Sequence, residues 1–352
     1  MNPIASKNDI KDLSKDQLVQ WLKDQGQPPF RAEQLLRWLY LHQTDRFDVM
    51  TNLGKPLREA LSETFVNRRL FVDDQSRSSD GSLKFLFRLH DGQHIESVLI
   101  PEKDHFTLCV SSQVGCRQGC KFCMTAKAGF IRNLSAGEII SQVRDCQQYV
   151  NEKEEMGLTN IVFMGMGEPL ANLRNVIQAI DVITNGDWGL KISGRRVTVS
   201  TAGLVSKMEG LGKNTRVNLA VSLNSADDHT RTRLMPINRK HPISELIAAC
   251  RAYPLPPRRK ITFEYILMKG INDRVVDAEK LVKCLHRVKA KINLIPFNEH
   301  PGSDFQRPSP ETIRRFQEYL ADHHYTAIVR HSKGQDIGAA CGQLRARRIL
   351  KS

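Results

Sequence analysis

The spacing of apolar residues in the first part of the chain is helical. From residue 12 to residue 67, apolar positions recur every three or four residues, as in "FRAEQLLRWLYLHQ", which predicts amphipathic helices. Ser14 is suited to cap the helix that begins in "SKDQLVQWL", and Pro56 is suited to the first turn of a later helix. Residues 1–70 are therefore predicted to form a small helical accessory domain.

Two runs of alternating apolar and polar residues follow, in "SLKFLFRLHDGQHIESVLIP". They flank Asp91 and Gly92, and an Asp-Gly pair between alternating runs is typical of a β-hairpin turn. Residues 71–104 are therefore predicted to form a β-hairpin connector.

From residue 105 onward, short β-rich runs alternate with helical stretches. The runs are "FTLCVSS", "TNIVFMG", "RRVTVST", "RVNLAVSL", "KITFEYILM", "AKINLIPF" and "YTAIVRH". This alternation predicts parallel β/α units, and six units are too few to close an eight-stranded barrel. We therefore expect an α/β fold with a partial (β/α)6 barrel over residues 105–331, followed by a C-terminal segment over residues 332–352. In such folds the chemistry lies at the carboxyl ends of the strands.

The charge of the chain indicates the kind of partner. The 352 residues include 52 Lys and Arg against 38 Asp and Glu, a net charge of +14. An excess of this size favours a polyanion, nucleic acid first, although solubility alone remains an alternative reading. No apolar run approaches the ~18 residues of a membrane helix, and the first 30 residues lack the apolar stretch of a signal peptide. We expect a cytoplasmic protein without membrane association.

The stretch "SSQVGCRQGCKFCMTAKAGF" holds three cysteines, Cys116, Cys120 and Cys123, after the first predicted barrel strand. A structural zinc ion would require a fourth ligand, and no Cys or His occurs in the following 20 residues. A redox pair would need only C-x2-C and would leave Cys116 unexplained. An iron–sulfur cubane held by three thiolates would keep one iron open to another ligand. Gly115 and Gly119 permit the turns that wrapping a cluster requires.

Polar residues also stand at the predicted strand ends. "IVFMGMGEPL" places Gly165, Gly167 and Glu168 after the second barrel strand. Glycine lets the backbone approach a ligand closely, and a carboxylate can accept hydrogen bonds from an ammonium group. Parallel strands share one rim, so these residues are predicted to contact a ligand together, although turn and cap roles remain alternatives. The other polar residues at strand ends are Ser200, Ser222, Asn224 and Asn298.

Several motifs together resemble a known family. A C-x3-C-x2-C motif after a first strand is similar to that of the radical S-adenosylmethionine (SAM) superfamily. With "FMGMGEPL", "VSTAG", "RLMPIN", "DIGAACGQL", "PPFRAEQLLRWLY" and "MTNLGKPLRE", the chain resembles the RlmN/Cfr group of radical SAM RNA methyltransferases over nearly its whole length, the RlmN enzymes most closely. The resemblance implies a 4Fe–4S cluster on Cys116, Cys120 and Cys123. It also implies SAM contacts from Gly167, Glu168, Ser200, Ser222, Leu223, Asn224 and Asn298.

The resemblance also implies a reaction that uses two SAM molecules per methyl transfer. Carbon 2 of adenine lies between two ring nitrogens and is too electron-poor to attack a methyl group directly. In the implied route, Cys341 takes a methyl group from one SAM, and the radical from a second SAM removes a hydrogen atom from it. The carbon radical adds to the adenine, and Cys109 then attacks the sulfur of Cys341, which leaves a transient disulfide. Glu96 matches the residue assigned as proton acceptor.

The resemblance finally implies three partners, namely 23S rRNA, tRNAs and an electron donor of the flavodoxin type. It also implies that the enzyme is a monomer. Together with the N-terminal domain, two basic segments, residues 229–260 and 345–352, are predicted to contact RNA phosphates, with Arg231 and Arg233 in the first of them. Cys146, Cys250 and Cys284 are predicted to be buried small hydrophobes.

The residues alone do not distinguish carbon 2 from carbon 8, the Cfr-like alternative. A radical SAM enzyme for a small molecule or a protein, and an RNA-binding protein with a structural metal, are the other readings.

Overall fold

The N-terminal module consists of three helices closed by a small parallel strand pair. The computed structural model describes residues 7–300 and 302–346. In the module, Ser14 forms a capping box with Gln17, and Pro56 lies in the first turn of its helix, as predicted. The strand pair was not predicted, because strands of two residues carry no periodicity. The elements are β1 (Asn8–Asp9), α1 (Lys15–Asp24), α2 (Arg31–Tyr40), α3 (Lys55–Thr64) and β2 (Phe65–Val66).

The rest of the chain is built on a large mixed sheet. Its strands, together with those of one small hairpin, are β3 (Phe71–Arg77), β4 (Leu83–Arg88), β5 (His94–Pro101), β6 (Phe106–Cys109), β7 (Gln113–Gly115), β8 (Phe130–Asn133), β9 (Leu158–Phe163), β10 (Val197–Thr201), β11 (Asn218–Ser222), β12 (Ile261–Leu267), β13 (Ala290–Pro296) and β14 (Ala327–Val329). The helices are α4 (Met124–Lys127), α5 (Ala136–Lys153), α6 (Leu173–Thr184), α7 (Val205–Asn214), α8 (Asp228–Leu234), α9 (Ile243–Ala252), α10 (Val275–Cys284) and α11 (Pro310–Asp322).

The sheet has ten strands in the order β14-β13-β12-β11-β10-β9-β6-β5-β4-β3. The seven strands from β6 to β14 are parallel and stand in chain order, with helices in the crossovers. Within the described residues β14 and β3 form the two edges, so the barrel is open. The prediction of a partial (β/α)6 barrel is confirmed, since six β/α units precede the last strand.

The predicted hairpin is continuous with the barrel sheet. Strand β5 pairs antiparallel with β6, with Val98 opposite Cys109, so the connector lies beside the first barrel strand. The sequence pattern missed β3, since "FVDDQSR" lacks an alternating apolar face. No helix in the described part of the chain has both the length and the apolar character needed to span a lipid bilayer.

A single apolar cluster joins the barrel to the N-terminal module. Strand side chains such as Ile161, Leu219 and Phe263 are fully buried, and the same cluster includes Leu22 and Leu35 of the module helices. Burial of large apolar side chains contributes roughly 1.5–3 kcal/mol each, so this continuous core fixes the module against the barrel.

Arg144 is the principal polar link between α5 and the N-terminal module. Its side chain is fully buried. Its Nη2 donates to Asp45 Oδ1 at 2.7 Å, its Nη1 to Asn67 Oδ1 at 3.2 Å, and its Nε to Asp145 Oδ1 at 3.1 Å. A buried guanidinium is tolerated only when its donors are paired in this way.

Replacement of Arg144 by Met should lower the free energy of unfolding by about 2 kcal/mol, because Asn67, Asp45 and Asp145 would lose a buried donor. Both aspartates would keep their ion pair with Arg69, which limits the loss. A matched control is Arg315→Met, which removes an exposed ion pair with Glu311 and should cost about 0.5 kcal/mol or less. Urea denaturation followed by circular dichroism measures both. Equal unfolding midpoints for the two variants would show that Arg144 does not stabilise this interface.

Candidate functional site

The loop that carries the three cysteines is shaped by the small β7–β8 hairpin. The N–H of Cys116 donates to the carbonyl of Gly129 at 2.8 Å. Gly115 has φ +75°, and a Cβ atom there would lie 1.9 Å from the same carbonyl oxygen. The close pairing of the two strands therefore requires glycine at position 115. At the other end of the loop, the N–H of Cys123 donates to the carbonyl of Cys120 at 3.2 Å, immediately before α4.

The loop lies in apolar surroundings. Cys120 and Cys123 pack against a second apolar cluster formed by Phe122, Leu234, Met235, Met268 and Phe297. Burial raises the pKa of Cys116 to about 12. It also raises the pKa of Cys120, and the neighbouring thiols of Cys123 and Cys116 add to that rise.

The donor set suits an iron–sulfur cluster. None of the eight cysteines is in a disulfide, and the three loop thiols lie close enough to influence one another's ionisation. Buried thiolates require a cationic partner, which iron supplies. The three thiols are not gathered around one point, however, since no three His, Cys, Asp or Glu side chains of the described residues are grouped as the ligands of a single metal ion.

The glycines before Glu168 let β9 and the loop after β6 approach each other closely. A Cβ atom on Gly165 would lie 2.7 Å from the carbonyl oxygen of Val110. A Cβ on Gly167, where φ is +103°, would lie 2.6 Å from the Cβ of Gln113. The glycines predicted at this strand end are therefore required by packing within the protein.

Glu168 is buried and held by backbone donors. Its Oε1 accepts from the N–H of Leu170 at 3.0 Å, and its Oε2 accepts from the N–H of Ala202 at 2.7 Å. Burial raises the pKa of this carboxyl, and the hydrogen bonds partly offset the rise. The remaining lone pairs on the two oxygens can accept hydrogen bonds from a ligand ammonium group.

The other predicted rim residues differ in how freely they can bind a ligand. Ser200 and Ser222 are half-buried at the ends of β10 and β11, and Leu223 is fully buried. Asn224 is committed within the protein, because its Oδ1 accepts from the N–H of Ile266 at 2.8 Å and its Nδ2 lies 3.1 Å from a methionine sulfur. The backbone of both residues is engaged as well, since the N–H of Leu223 donates to the carbonyl of Glu264 at 3.0 Å and the carbonyl of Asn224 accepts from Nδ2 of Asn272 at 2.7 Å.

Asn298 carries an unsatisfied acceptor at the same rim. Its Oδ1 is buried and has no hydrogen-bond partner within the described residues. Its Nδ2 donates to the carbonyl of Cys341 at 3.3 Å. A buried acceptor without a donor is costly, so this atom fits an N–H or O–H group of a ligand.

Cys109 and Cys341, which are far apart in sequence, meet at this rim. Cys341 is an exposed residue. Neighbouring protein atoms nevertheless shield its thiol from water, and this desolvation, together with the nearby carboxyl of Glu264, raises the pKa of the thiol to about 11. Burial raises the pKa of Cys109, and the proximity of Cys341 adds to that rise. The structure thus brings together the two thiols that the sequence separates by more than 200 residues.

The C-terminal segment is held across the mouth by main-chain hydrogen bonds. The N–H of Met124 donates to the carbonyl of Gly342 at 2.7 Å, and the hydroxyl of Thr125 donates to the carbonyl of Leu344 at 2.6 Å. The helix after the cysteine loop therefore positions the segment that carries Cys341.

Glu96 anchors the same segment from the connector. Its Oε2 accepts from the N–H groups of Arg345 and Ala346 at 2.8 and 3.1 Å, and its Oε1 lies 3.2 Å from Nζ of Lys84. The carboxylate is buried, so Glu96 is not an ordinary exposed residue of its strand. A structural role in holding the tail was not predicted from the sequence.

The prediction that Arg231 contacts RNA phosphates is wrong. The side chain is fully buried, and burial lowers its pKa to about 10. Its guanidinium donates to the carbonyls of Ala202 at 2.8 Å, Leu223 at 3.1 Å and Ser222 at 3.3 Å. Arg231 therefore links the carboxyl ends of β10 and β11.

The remaining predicted basic residues do not form one surface. Arg233, Arg239 and Lys240 are exposed near the carboxyl ends of the strands, whereas residues 258–260 precede β12 at the opposite end of the sheet. Arg347, Arg348 and Lys351 of the C-terminal segment lie outside the described residues.

Of the cysteines expected to be buried, Cys146 and Cys250 are buried and Cys284 is only half-buried. The prediction for Cys284 was therefore wrong in degree, although its side chain packs against the main apolar cluster.

Glu264 is a site residue that sequence reasoning missed. It lies on β12 between Ser222 of β11 and Asn293 of β13 in the sheet register, and Asn293 Nδ2 donates to its Oε1 at 2.9 Å. Burial raises the pKa of this carboxyl to about 7. The available signal was the single acidic residue inside the apolar run "ITFEYIL".

Comparisons with known proteins agree with this geometry. Residues 8–66 match the ribosomal RNA large subunit methyltransferase N-terminal domain, and residues 110–282 match the radical SAM superfamily. A dual-specificity RNA methyltransferase RlmN of Desulfosudis oleivorans is 56% identical over 98% of this chain and 93% of its own length. The protein of the same name from Geobacter sulfurreducens is 52% identical over 96% of this chain and 92% of its own.

Among solved structures, a radical SAM methyltransferase from Sphaerobacter thermophilus is similar over nearly the whole fold. It shares 43% sequence identity with this chain, and the alignment covers 97% of this chain and 100% of the other, with a TM-score of 0.90.

Substitution of Gly115 by Ala should disrupt the cysteine loop, because the added methyl group would meet the Gly129 carbonyl. We expect a loss of at least ~2 kcal/mol in the free energy of unfolding. The matched variant is Gly129→Ala, which has φ +82° but open space around its Cβ and should cost only about 1–2 kcal/mol. Chemical denaturation of both variants measures the difference, and equal losses would contradict the packing argument.

Proposed function

Since the chain belongs to the RlmN family of radical SAM RNA methyltransferases, we propose that it methylates carbon 2 of an adenosine in 23S rRNA and in tRNAs. The observation that carries this proposal is the convergence of the three-cysteine loop, Cys109 and Cys341 at one rim of the open barrel. The relatives named above are dual-specificity RNA methyltransferases, which supports both RNA classes. Methylation at carbon 8, the Cfr-like alternative, is not favoured, because these relatives carry the RlmN name.

We propose that Cys116, Cys120 and Cys123 hold the 4Fe–4S cluster of the superfamily. Gly167, Glu168, Ser200, Ser222, Leu223, Asn224 and Asn298 would hold SAM. When bound, the cluster and SAM supply a methyl group and the one-electron cleavage of SAM, with two SAM molecules used per methyl transfer. The carboxylate of Glu168 would orient the SAM ammonium group, and Oδ1 of Asn298 would accept a hydrogen bond from the nucleoside part.

Cys341 would be the methyl acceptor of this chain. Its carbonyl is fixed by Asn298 and the following carbonyl by Met124, so the thiol is held over the rim. The thiol must lose its proton before it attacks a methyl group, and a pKa of about 11 makes that proton loss unfavourable near neutral pH.

Cys109 would complete the cycle. Cys109 would first assist loss of the ring proton from the RNA adduct, whose unpaired electron leaves and replaces the electron spent on SAM cleavage. The sulfur of Cys109 would then attack the sulfur of Cys341, so that the bond from Cys341 to the transferred carbon breaks and that carbon keeps the electron pair and takes a proton. The product is methylated RNA and a disulfide, which a cytoplasmic reductant returns to two thiols.

Glu96 is the proposed proton acceptor of the reaction. In the resting arrangement its oxygens are occupied by Lys84 and by the N–H groups of Arg345 and Ala346. Glu96 could take a proton from the adenine only after these contacts loosen, so the tail must shift during the cycle.

The proposed setting is a cytoplasmic monomer that receives electrons from a flavodoxin-type protein. The exposed cations near the strand carboxyl ends, Arg233, Arg239 and Lys240, would contact RNA phosphates around the target adenosine.

The purified, anaerobically reconstituted protein should convert one adenosine in 23S rRNA and in tRNA to 2-methyladenosine. Nucleoside mass spectrometry against synthetic 2-methyl and 8-methyl standards measures the product. A Cys341→Ala variant, which lacks the methyl acceptor, should form none. Formation of 8-methyladenosine by the wild-type protein would replace this proposal with the Cfr-like alternative.

A Cys109→Ala variant should accumulate enzyme joined covalently to RNA, because nothing would release Cys341 from the transferred carbon. The adduct should appear as a slower band on a denaturing gel that thiol reductants do not remove. Cys250→Ala, which changes a buried cysteine of α9, is the matched control and should turn over normally. Full turnover of Cys109→Ala without an adduct would eliminate this role for Cys109.

A further inference from the structure

A basic pocket lies at the amino ends of β12, β13 and β14, at the opposite end of the strands from the cysteine loop. Its volume is about 390 Å³, and Val288, Ala290 and Tyr325 contribute its apolar surface. Every charged or titratable side chain along it, Tyr325 aside, is basic. These are Arg258, Arg259, Lys260, Lys289, His323 and His324.

The cations of this pocket have no carboxylate partners in the described part of the chain. By contrast, three cations on the neighbouring helices α10 and α11 are paired with glutamates, Lys283 with Glu279 at 2.6 Å, Arg314 with Glu318 at 2.8 Å and Arg315 with Glu311. Clustered like charges repel one another and destabilise the folded state. A general basic surface for solubility would not require the cations to be concentrated here and left unpaired.

The pocket is also preorganised. Arg259 is fixed by two hydrogen bonds of 3.0 Å from its Nη1, to the carbonyl of Arg216 and to Oδ1 of Asn218. Arg258 and His324 adopt the left-handed backbone, with φ of 64° and 65°. Such conformations cost roughly 1–2 kcal/mol for residues other than glycine and cluster at functional sites.

We propose that this pocket binds backbone phosphates of the substrate RNA, at a distance from the target adenosine. The inference rests on the proposed function, and it adds a second contact surface to it. Strand β12 has seven residues, so the pocket lies roughly 20 Å from the rim at about 3.3 Å per residue. A folded tRNA or rRNA domain is long enough to reach both ends of the sheet, whereas a short stem–loop reaches only the rim.

An acidic electron-donor protein is the other polyanion that the pocket could attract. A donor must come near the cluster, because electron transfer slows steeply with distance. The three cysteines lie at the carboxyl ends of the strands, so a donor at the amino ends would be too far away. The position of the pocket therefore favours RNA.

The test uses the reconstituted full-length enzyme and a charge-matched pair of variants. The pocket variant is Arg258→Gln/Lys260→Gln/Lys289→Gln. The control variant is Lys213→Gln/Lys283→Gln/Arg314→Gln, which removes three exposed cations that are paired with glutamates. Each variant lowers the net charge from +14 to +11, since 14 − 3 = 11. Equal iron content and thermal midpoints establish that the folds are intact.

The measurement is the Kd for transcribed tRNA and for a short stem–loop with the target adenosine, at 50 and 200 mM salt. For each protein, the Kd for tRNA rises by some factor between 50 and 200 mM salt. Loss of three phosphate contacts should make this factor about 20- to 40-fold smaller for the pocket variant than for the wild type. The control variant should follow the wild type, and stem–loop binding should not change. A double variant, Lys260→Gln/Lys289→Gln, should show an intermediate effect and serves if the triple variant unfolds.

The proposal would be overturned if the pocket variant bound tRNA with the same affinity and the same salt dependence as the wild type. Two further results would overturn it in favour of another ligand. In the first, inorganic phosphate stabilises the wild type but not the pocket variant, while tRNA binding is equal. In the second, SAM cleavage driven by reduced flavodoxin slows only in the pocket variant. Failure of the wild type to methylate RNA at all would instead refute the proposed function.

Discussion

The candidate site depends on one constraint, the common direction of seven neighbouring parallel strands. Because every crossover returns the chain to the side of the sheet where the parallel strands begin, the residues that follow each strand meet at a single rim on the opposite side. Glu168 follows β9, Ser222 ends β11 and Asn298 follows β13, although 130 residues separate the first from the last. Arg231 reinforces this arrangement, since one guanidinium binds carbonyls at the ends of β10 and β11.

A second constraint arises from the edge where the parallel strands end. Strand β6 needs a hydrogen-bonding partner on its free side, and the connector strand β5 supplies it. The connector thereby places Glu96 beside the rim, and the turn between β3 and β4 binds the tail. Asp80 Oδ2 accepts from the N–H of Gly334 at 2.6 Å, and Asp336 Oδ2 accepts from the N–H of Ser79 at 3.0 Å. The segment carrying Cys341 is therefore positioned by the connector as well as by the barrel.

The sequence predicted the architecture well, because long alternations of β-rich and helical stretches are strong signals. It predicted the rim from the polar residues after strands, which the parallel topology then brings together. It could not predict contacts made by partners remote in sequence. Arg231 was expected in solvent because charged residues are rarely buried, and its three carbonyl partners become neighbours only in the folded sheet. The tail partners of Glu96 are likewise remote in sequence, whereas Glu264 carried a local signal in its position inside an apolar run.

The tail that carries Cys341 is attached mainly through its own main chain, at Gly342, Leu344, Arg345 and Ala346. Each such hydrogen bond contributes only about 0.5–1.5 kcal/mol, or about 1.5–3 kcal/mol where the acceptor is the Glu96 carboxylate. Leu344 is the one buried side chain among residues 341–346, so the tail belongs to the low-stability end of the molecule. Its detachment is a local opening that leaves the barrel folded. Access of large substrates to the mouth is thus set by a local equilibrium, which the free energy of global unfolding does not control.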